Sequence, residues 1–97
     1  MIEGVEIKNL ITHVDERGFF RELLRSEDEI LKEGIGQTSH SLVHTGVIKA
    51  WHGHVCQSQW NYVVNGLIYV ALCDLRKDSK SYKKIMTFLV GDCKSSA

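Results

Sequence analysis

The sequence predicts an all-β domain, a sandwich or barrel of short antiparallel strands, and three observations carry that expectation. Five segments after Gly36 (37–43, 47–55, 59–65, 67–75 and 85–90) have the alternating or short apolar pattern of strands. Turn signals at Thr45-Gly46, Asn65-Gly66 and Lys77-Asp78-Ser79 separate them, and many short strands at regular spacing belong to sandwiches and barrels. Only one stretch, near 26–33, reads as helix.

Taken in order, Val5 to Ile11 mixes β-branched with polar residues and reads as a first strand. Arg17-Gly18-Phe19-Phe20 follows the turn-like Val14-Asp15-Glu16 and reads as a second. Ser26-Glu27-Asp28-Glu29 has the form of a capping box, with Ser26 as N-cap and Glu29 reaching back, and the short helix should stop near Gly34. Asn65-Gly66 is the sharpest local signal, because both residues tolerate the positive φ that a tight hairpin demands, so 61–70 is expected to be a hairpin. If 46–56 is a regular strand, Ile48, Ala50, His52, His54 and Cys56 share one face, opposite Val47, Lys49, Trp51 and Val55.

With 97 residues the chain fits one domain, 1–97, with 92–97 as a frayed tail. Twelve basic residues balance twelve acidic ones, which argues against nucleic acid or an anionic membrane as partner. The longest apolar run, Leu67 to Cys73, is too short to cross a bilayer, and residues from Met1 onward lack the charged-then-apolar order of a signal peptide. Three cysteines, Cys56, Cys73 and Cys93, lack a zinc-type pair and suit reduced thiols, so a cytoplasmic location is expected.

The histidines of 46–66 carry the functional question. Gly46, His52, His54, Gln59 and Gly66 stand at the spacing of the first cupin motif, with Gln59 where that motif has glutamate. One reading is a divalent transition metal held by His52, His54 and either Gln59 or Cys56, since neutral imidazoles suit such ions. Gln59 is a weak ligand, and no later histidine completes the set. Another is proton transfer, with His52 as the base beside a ketone. The plainest is two polar residues at a barrel mouth. His13, His40 and His44 have no such spacing and read as surface or capping residues.

Three blocks, MIEGVEIKNLITHVDERGFFRELLR (1–25), QTSHS with GVIKAWH (37–41 and 46–52), and VVNGLIYVALCDLRKDSKSY (63–82), resemble the dTDP-4-dehydrorhamnose 3,5-epimerases. The resemblance covers residues 1 to about 82, and its motifs stand in the family's order. It implies a cupin-type jelly roll, a double-sheet antiparallel barrel, acting as a homodimer or larger assembly on a nucleotide sugar without a cofactor. Carried over by position, His52 falls on the general base. Arg17 and Glu22 fall on residues contacting the nucleotide sugar, and Phe19 or Phe20 on apolar contacts beside them. Gln37 falls on the nucleotide side, Ser39 on a pocket asparagine, Lys49 on an arginine for phosphate or sugar, and Gln59 on a lysine that steadies the enolate.

The departures weaken the chemistry: an amide carries no charge at the enolate, and lysine lacks the fork that arginine offers phosphate. Family members are longer, so the resemblance also implies an incomplete roll whose uncovered edges and faces a partner chain should meet. The expected function is therefore a sugar-nucleotide epimerase-like isomerase. The alternatives are a small metal-binding cupin and a non-catalytic sugar-nucleotide binding subunit.

Overall fold

The computed structural model describes residues 1–55 and 57–92. Among these residues regular structure is almost all β: four strands form two separate two-stranded antiparallel sheets, and a single 3-10 turn supplies the helix. The all-β expectation holds at this level; a closed barrel is not formed among the described residues. The chain divides into two units, Met1–Leu23 with Asn61 onward, and Leu24–Trp60.

In the first unit, β1 (Thr12–Asp15) pairs with β2 (Gly18–Arg21) as a hairpin. The turn is set by its own residues. Asp15 Oδ1 accepts the Arg17 N–H at 2.8 Å, and Gly18 takes φ +136, which a side chain would oppose. Register follows from this turn: Asp15 lies opposite Gly18, Val14 opposite Phe19, His13 opposite Phe20 and Thr12 opposite Arg21. The first strand therefore begins at Thr12 rather than Val5, and residues 5–11 lie outside any strand. A strand is defined by its partner, and β2 ends opposite Thr12.

The second sheet pairs β3 (Leu67–Cys73) with β4 (Ile85–Gly91) along seven residues each. Here the alternation is realised. Val70, Leu72, Met86, Phe88 and Val90 are half-buried on one face, while Leu67, Tyr69, Ile85 and Leu89 are exposed on the other. Cross-strand pairs Val70–Phe88 and Leu72–Met86 lie on the half-buried face, and each such pair contributes about 0.2–1 kcal/mol. Gly66 adopts φ +97, as the Asn65-Gly66 signal demands. It does not turn a tight hairpin, however, because residues 61–65 form no strand. The Gly66 carbonyl instead accepts the Asp92 N–H at 2.9 Å and closes the open end of the β3–β4 ladder.

The other end of that ladder is closed by a polar cluster. Asp74 and Ser81 are, with Ile2, the buried residues among those described. The Asp74 carboxylate accepts two guanidinium bonds from Arg76, both at 2.9 Å, and hydroxyl bonds from Ser79 at 2.7 Å and Ser81 at 2.6 Å. The Arg76 charge, then the Ser81 and Ser79 hydroxyls, hold its pKa far below the usual carboxylate range despite burial. The cluster also holds the N-terminal segment. The Glu3 N–H donates to Ser81 Oγ at 2.9 Å, and Arg76 Nη2 donates to the Glu3 carbonyl at 2.5 Å.

The second unit has little regular structure. The helix expected over 26–33 is one 3-10 turn, Glu29–Leu31, and the capping box is not formed. Asp28 occupies the N-cap without a side-chain cap bond. Its Oδ2 instead accepts the Arg25 N–H at 2.9 Å, while Ser26 Oγ donates to Glu27 Oε2 at 3.3 Å. The competing local bonds of Asp and Ser have won over the helix. The Thr45-Gly46 turn is present, closed by the Val47 N–H on the His44 carbonyl at 3.1 Å. The strands expected at 37–43, 47–55 and 59–65 are absent from the described residues. Strand propensity acts through partners, and backbone bonds among the described residues of this unit, such as Asp28 N–H to Arg25, Gly34 N–H to Leu31 and Val47 N–H to His44, run from residue i to i−3.

Candidate functional site

The β1–β2 hairpin gathers several residues of the sequence-expected site. Arg17 stands at the turn, 83% exposed, with Nε at 3.2 Å and Nη2 at 2.5 Å from Asp15 Oδ2. That ion pair lowers the Asp15 pKa and raises that of Arg17. In bulk solvent such a pair contributes little to stability, so the guanidinium is free to exchange Asp15 for an anionic ligand.

Strand alternation sorts the neighbouring residues. Phe19 and Arg21 share one face of β2, and the Arg21 guanidinium carbon lies 4.6 Å from the Phe19 ring centroid. Phe20 points to the other face, beside its cross-strand neighbour His13, with ring centroids 6.3 Å apart. A hollow of about 260 Å³ is lined by His13, Phe20, Glu22 and Lys8, and another of about 430 Å³ at the hairpin tip by Asp15, Arg17, Phe19 and Phe20. Where the sequence left Phe19 or Phe20 open as the neighbour of Glu22, the geometry groups Phe20 with Glu22.

The remaining candidates lie in the second unit. Gln37 and Ser39 are brought together, Nε2 donating to Oγ at 2.9 Å. The Lys49 ammonium is held by the Leu42 carbonyl at 2.8 Å. His52 is exposed in a segment outside any strand, so the face-sharing of 48–56 has no ladder behind it. His54 and Gln59 meet at 2.7 Å between their Nε2 atoms. The pair joins an amide to an imidazole, and the tautomer of His54 sets which of them donates. A metal would have to displace that contact. Cys56, the other ligand considered, lies outside the described residues, as do residues 93–97 of the expected tail, Cys93 among them. Among the described residues no three His, Cys, Asp or Glu side chains are placed to hold a metal ion, and no helix is long and apolar enough to cross a membrane.

Comparison with known proteins places these motifs. The sequence matches the dTDP-4-dehydrorhamnose 3,5-epimerase family over residues 1–96. The chain belongs to that family. Among curated proteins it is 45% identical over 92 residues to the spore coat polysaccharide biosynthesis protein SpsL of Bacillus subtilis, covering 95% of this chain and 60% of that protein. It is 31% identical over 93 residues to the probable low-salt glycan biosynthesis epimerase Agl13 of Haloferax volcanii, covering 94% of this chain and 59% of that protein. The chain thus spans about three fifths of the length of the curated relatives it matches. No solved structure matches it.

Two features of this family member were not singled out from its sequence. The Asp74 cluster is drawn together from residues up to 78 positions apart, through Glu3 and Ser81, and its one local cue is Asp74-Leu75-Arg76, where the Arg76 N–H turns back onto Asp74 Oδ1 at 3.0 Å. Arg21 lies inside the block that carries the resemblance, between Arg17 and Glu22. Its alternation with Phe19 was the available signal.

Proposed function

We propose that this chain acts as an epimerase-like isomerase on a dTDP-4-keto-6-deoxy sugar. What supports this reading above all is the family match across residues 1–96. The hairpin carries side chains of the kind a nucleotide sugar needs: an exposed guanidinium at Arg17 for phosphate at the tip hollow, and the Phe20 ring with the Glu22 carboxylate as a hydroxyl acceptor at the smaller one. Gln37, Ser39 and Lys49 would complete the ligand contacts. The domain is read as one cupin-type jelly roll, working as a homodimer or larger assembly without a cofactor.

In this reading His52 removes the proton from the carbon beside the C4 ketone. The C–H electron pair moves into an enolate, the ketone oxygen takes up negative charge, and the imidazole becomes imidazolium. A proton returned from the opposite face inverts the carbon. Gln59 can offer the enolate oxygen a neutral N–H, a weaker stabiliser than a cation.

A second reading, a sugar-nucleotide binding subunit without catalysis, is favoured by that missing charge at Gln59. Incubation with a dTDP-4-keto-6-deoxy sugar in deuterated water separates the two. The epimerase reading expects deuterium at C3, C5 or both, and a fall of roughly 10²–10⁴-fold in its incorporation with His52→Ala. Tight binding of dTDP with no deuterium entering the sugar would establish the binding subunit instead.

A further inference from the structure

We infer that Arg21 is a positioning residue, which braces the β1–β2 hairpin against the neighbourhood of the second sheet and thereby decides which face of β2 meets a ligand. Its side chain is 12% exposed although every other residue of the hairpin strands is exposed. Nη1 donates to Tyr62 Oη at 2.9 Å and to Asp92 Oδ2 at 2.8 Å, and Nε donates to Thr12 Oγ1 at 3.0 Å. Asp92 follows β4, and Tyr62 precedes β3. One guanidinium therefore ties the hairpin to both ends of chain that flank the open side of the β3–β4 ladder.

The hairpin needs such a brace. Its four residue pairs bury no apolar face, and an isolated two-stranded hairpin is marginal in water. Among the described residues no strand of one sheet packs on a strand of the other, so polar side chains carry the connection. Arg21 also lies over the Phe19 ring, which commits the Thr12–Val14–Phe19–Arg21 face to the brace. By strand parity His13, Phe20 and Glu22 are left on the other face, lining the smaller hollow. Lysine cannot replace Arg21, because a single ammonium cannot span Thr12 and Asp92 with the same planar fork.

The ligand part of this inference rests on the function proposed above; the bracing part does not. The experiment uses the full chain and its Arg21→Ala, Arg21→Lys, Phe20→Ala and Arg21→Ala/Phe20→Ala variants. Amide hydrogen exchange is expected to quicken by at least about tenfold over 12–21 in Arg21→Ala, with the β3–β4 amides little changed. With dTDP as probe, Arg21→Ala should weaken binding about tenfold in the native background but less than about twofold when Phe20 is already alanine, because Arg21 acts through the face that Phe20 occupies. Arg21→Lys should restore neither property fully. Unchanged exchange over 12–21, or an equal loss of dTDP binding in both backgrounds, overturns the inference. Absence of dTDP binding by the unsubstituted chain overturns the proposed ligand instead, and the exchange data still decide the brace.

Discussion

The β3–β4 region and the segment 24–60 both carry strand-like apolar patterns, yet a distant partner strand orders the first, while near neighbours pair within the second. β3 and β4 share seven residue pairs and end in a carboxylate held by three side chains. In 24–60 the side-chain bonds join close neighbours, such as Gln37 with Ser39 and His54 with Gln59. Large apolar residues there stay open, Ile48 at 88% and Leu42 at 71%. A strand-like pattern becomes a strand only where a second segment supplies the ladder.

The contrast is broken most severely at Asp74. Asp74→Ala leaves the Arg76 guanidinium and two hydroxyls without their shared acceptor, and frees the Glu3 anchor. It should lower the thermal midpoint by roughly 10 °C, the largest change among single substitutions, as read by circular dichroism. Asp74→Asn should do most of the same damage, because an amide cannot accept from Arg76 and both serines as a carboxylate does. A midpoint shift under about 2 °C would contradict the cluster's role.

Acid probes the same group without mutation. The folded-state pKa of Asp74 is depressed, so the unfolded chain binds a proton first and stability falls as pH drops. The contribution is fully present above the ordinary carboxylate value of about 4 and is lost progressively below it. Thermal midpoints should therefore decline more steeply below about pH 4 for the native chain than for Asp74→Asn, which has no proton to take up there. Parallel declines would place the acid sensitivity in other carboxylates.

How much of this was legible from residues alone follows from the range of each interaction. β3, β4 and the DERGFF hairpin could be read, since apolar alternation and an Asp-x-Arg-Gly turn are local. Their limits could not, because Thr12 starts β1 only through its pairing with Arg21. Arg17, Glu22 and Phe20 were drawn toward one hairpin, while Arg21 passed unnoticed because its partners, Tyr62 and Asp92, stand 41 and 71 positions away. The expected strands of 37–55 failed for the same reason in reverse: their pattern was visible and their partners were not.

Paired apolar truncations sharpen this point at a smaller scale. Phe88→Ala removes a half-buried ring opposite Val70 and should cost about 2 kcal/mol, below the range for full burial. Ile48→Ala removes a side chain already 88% exposed and should stay within about 0.5 kcal/mol. Equal losses in urea titrations would mean that 24–60 buries its apolar residues as β3 and β4 do.

The smallest expected effect is also the one on which pattern and structure disagree most cleanly. A capping box at Ser26 would make its hydroxyl the acceptor for an N–H in the first helical turn, and Ser26→Ala would then cost about 1 kcal/mol. In the structure that hydroxyl donates to Glu27 Oε2 at 3.3 Å in an exposed position, and the 3-10 turn is entered through Asp28. Ser26→Ala should accordingly change stability by less than about 0.3 kcal/mol. Asp28→Ala should cost more, because Asp28 Oδ2 holds the Arg25 N–H at 2.9 Å across the bend. If the order of the two losses in urea titrations is reversed, the segment folds by its capping signal, and its lack of partner-made order is not what distinguishes it from β3 and β4.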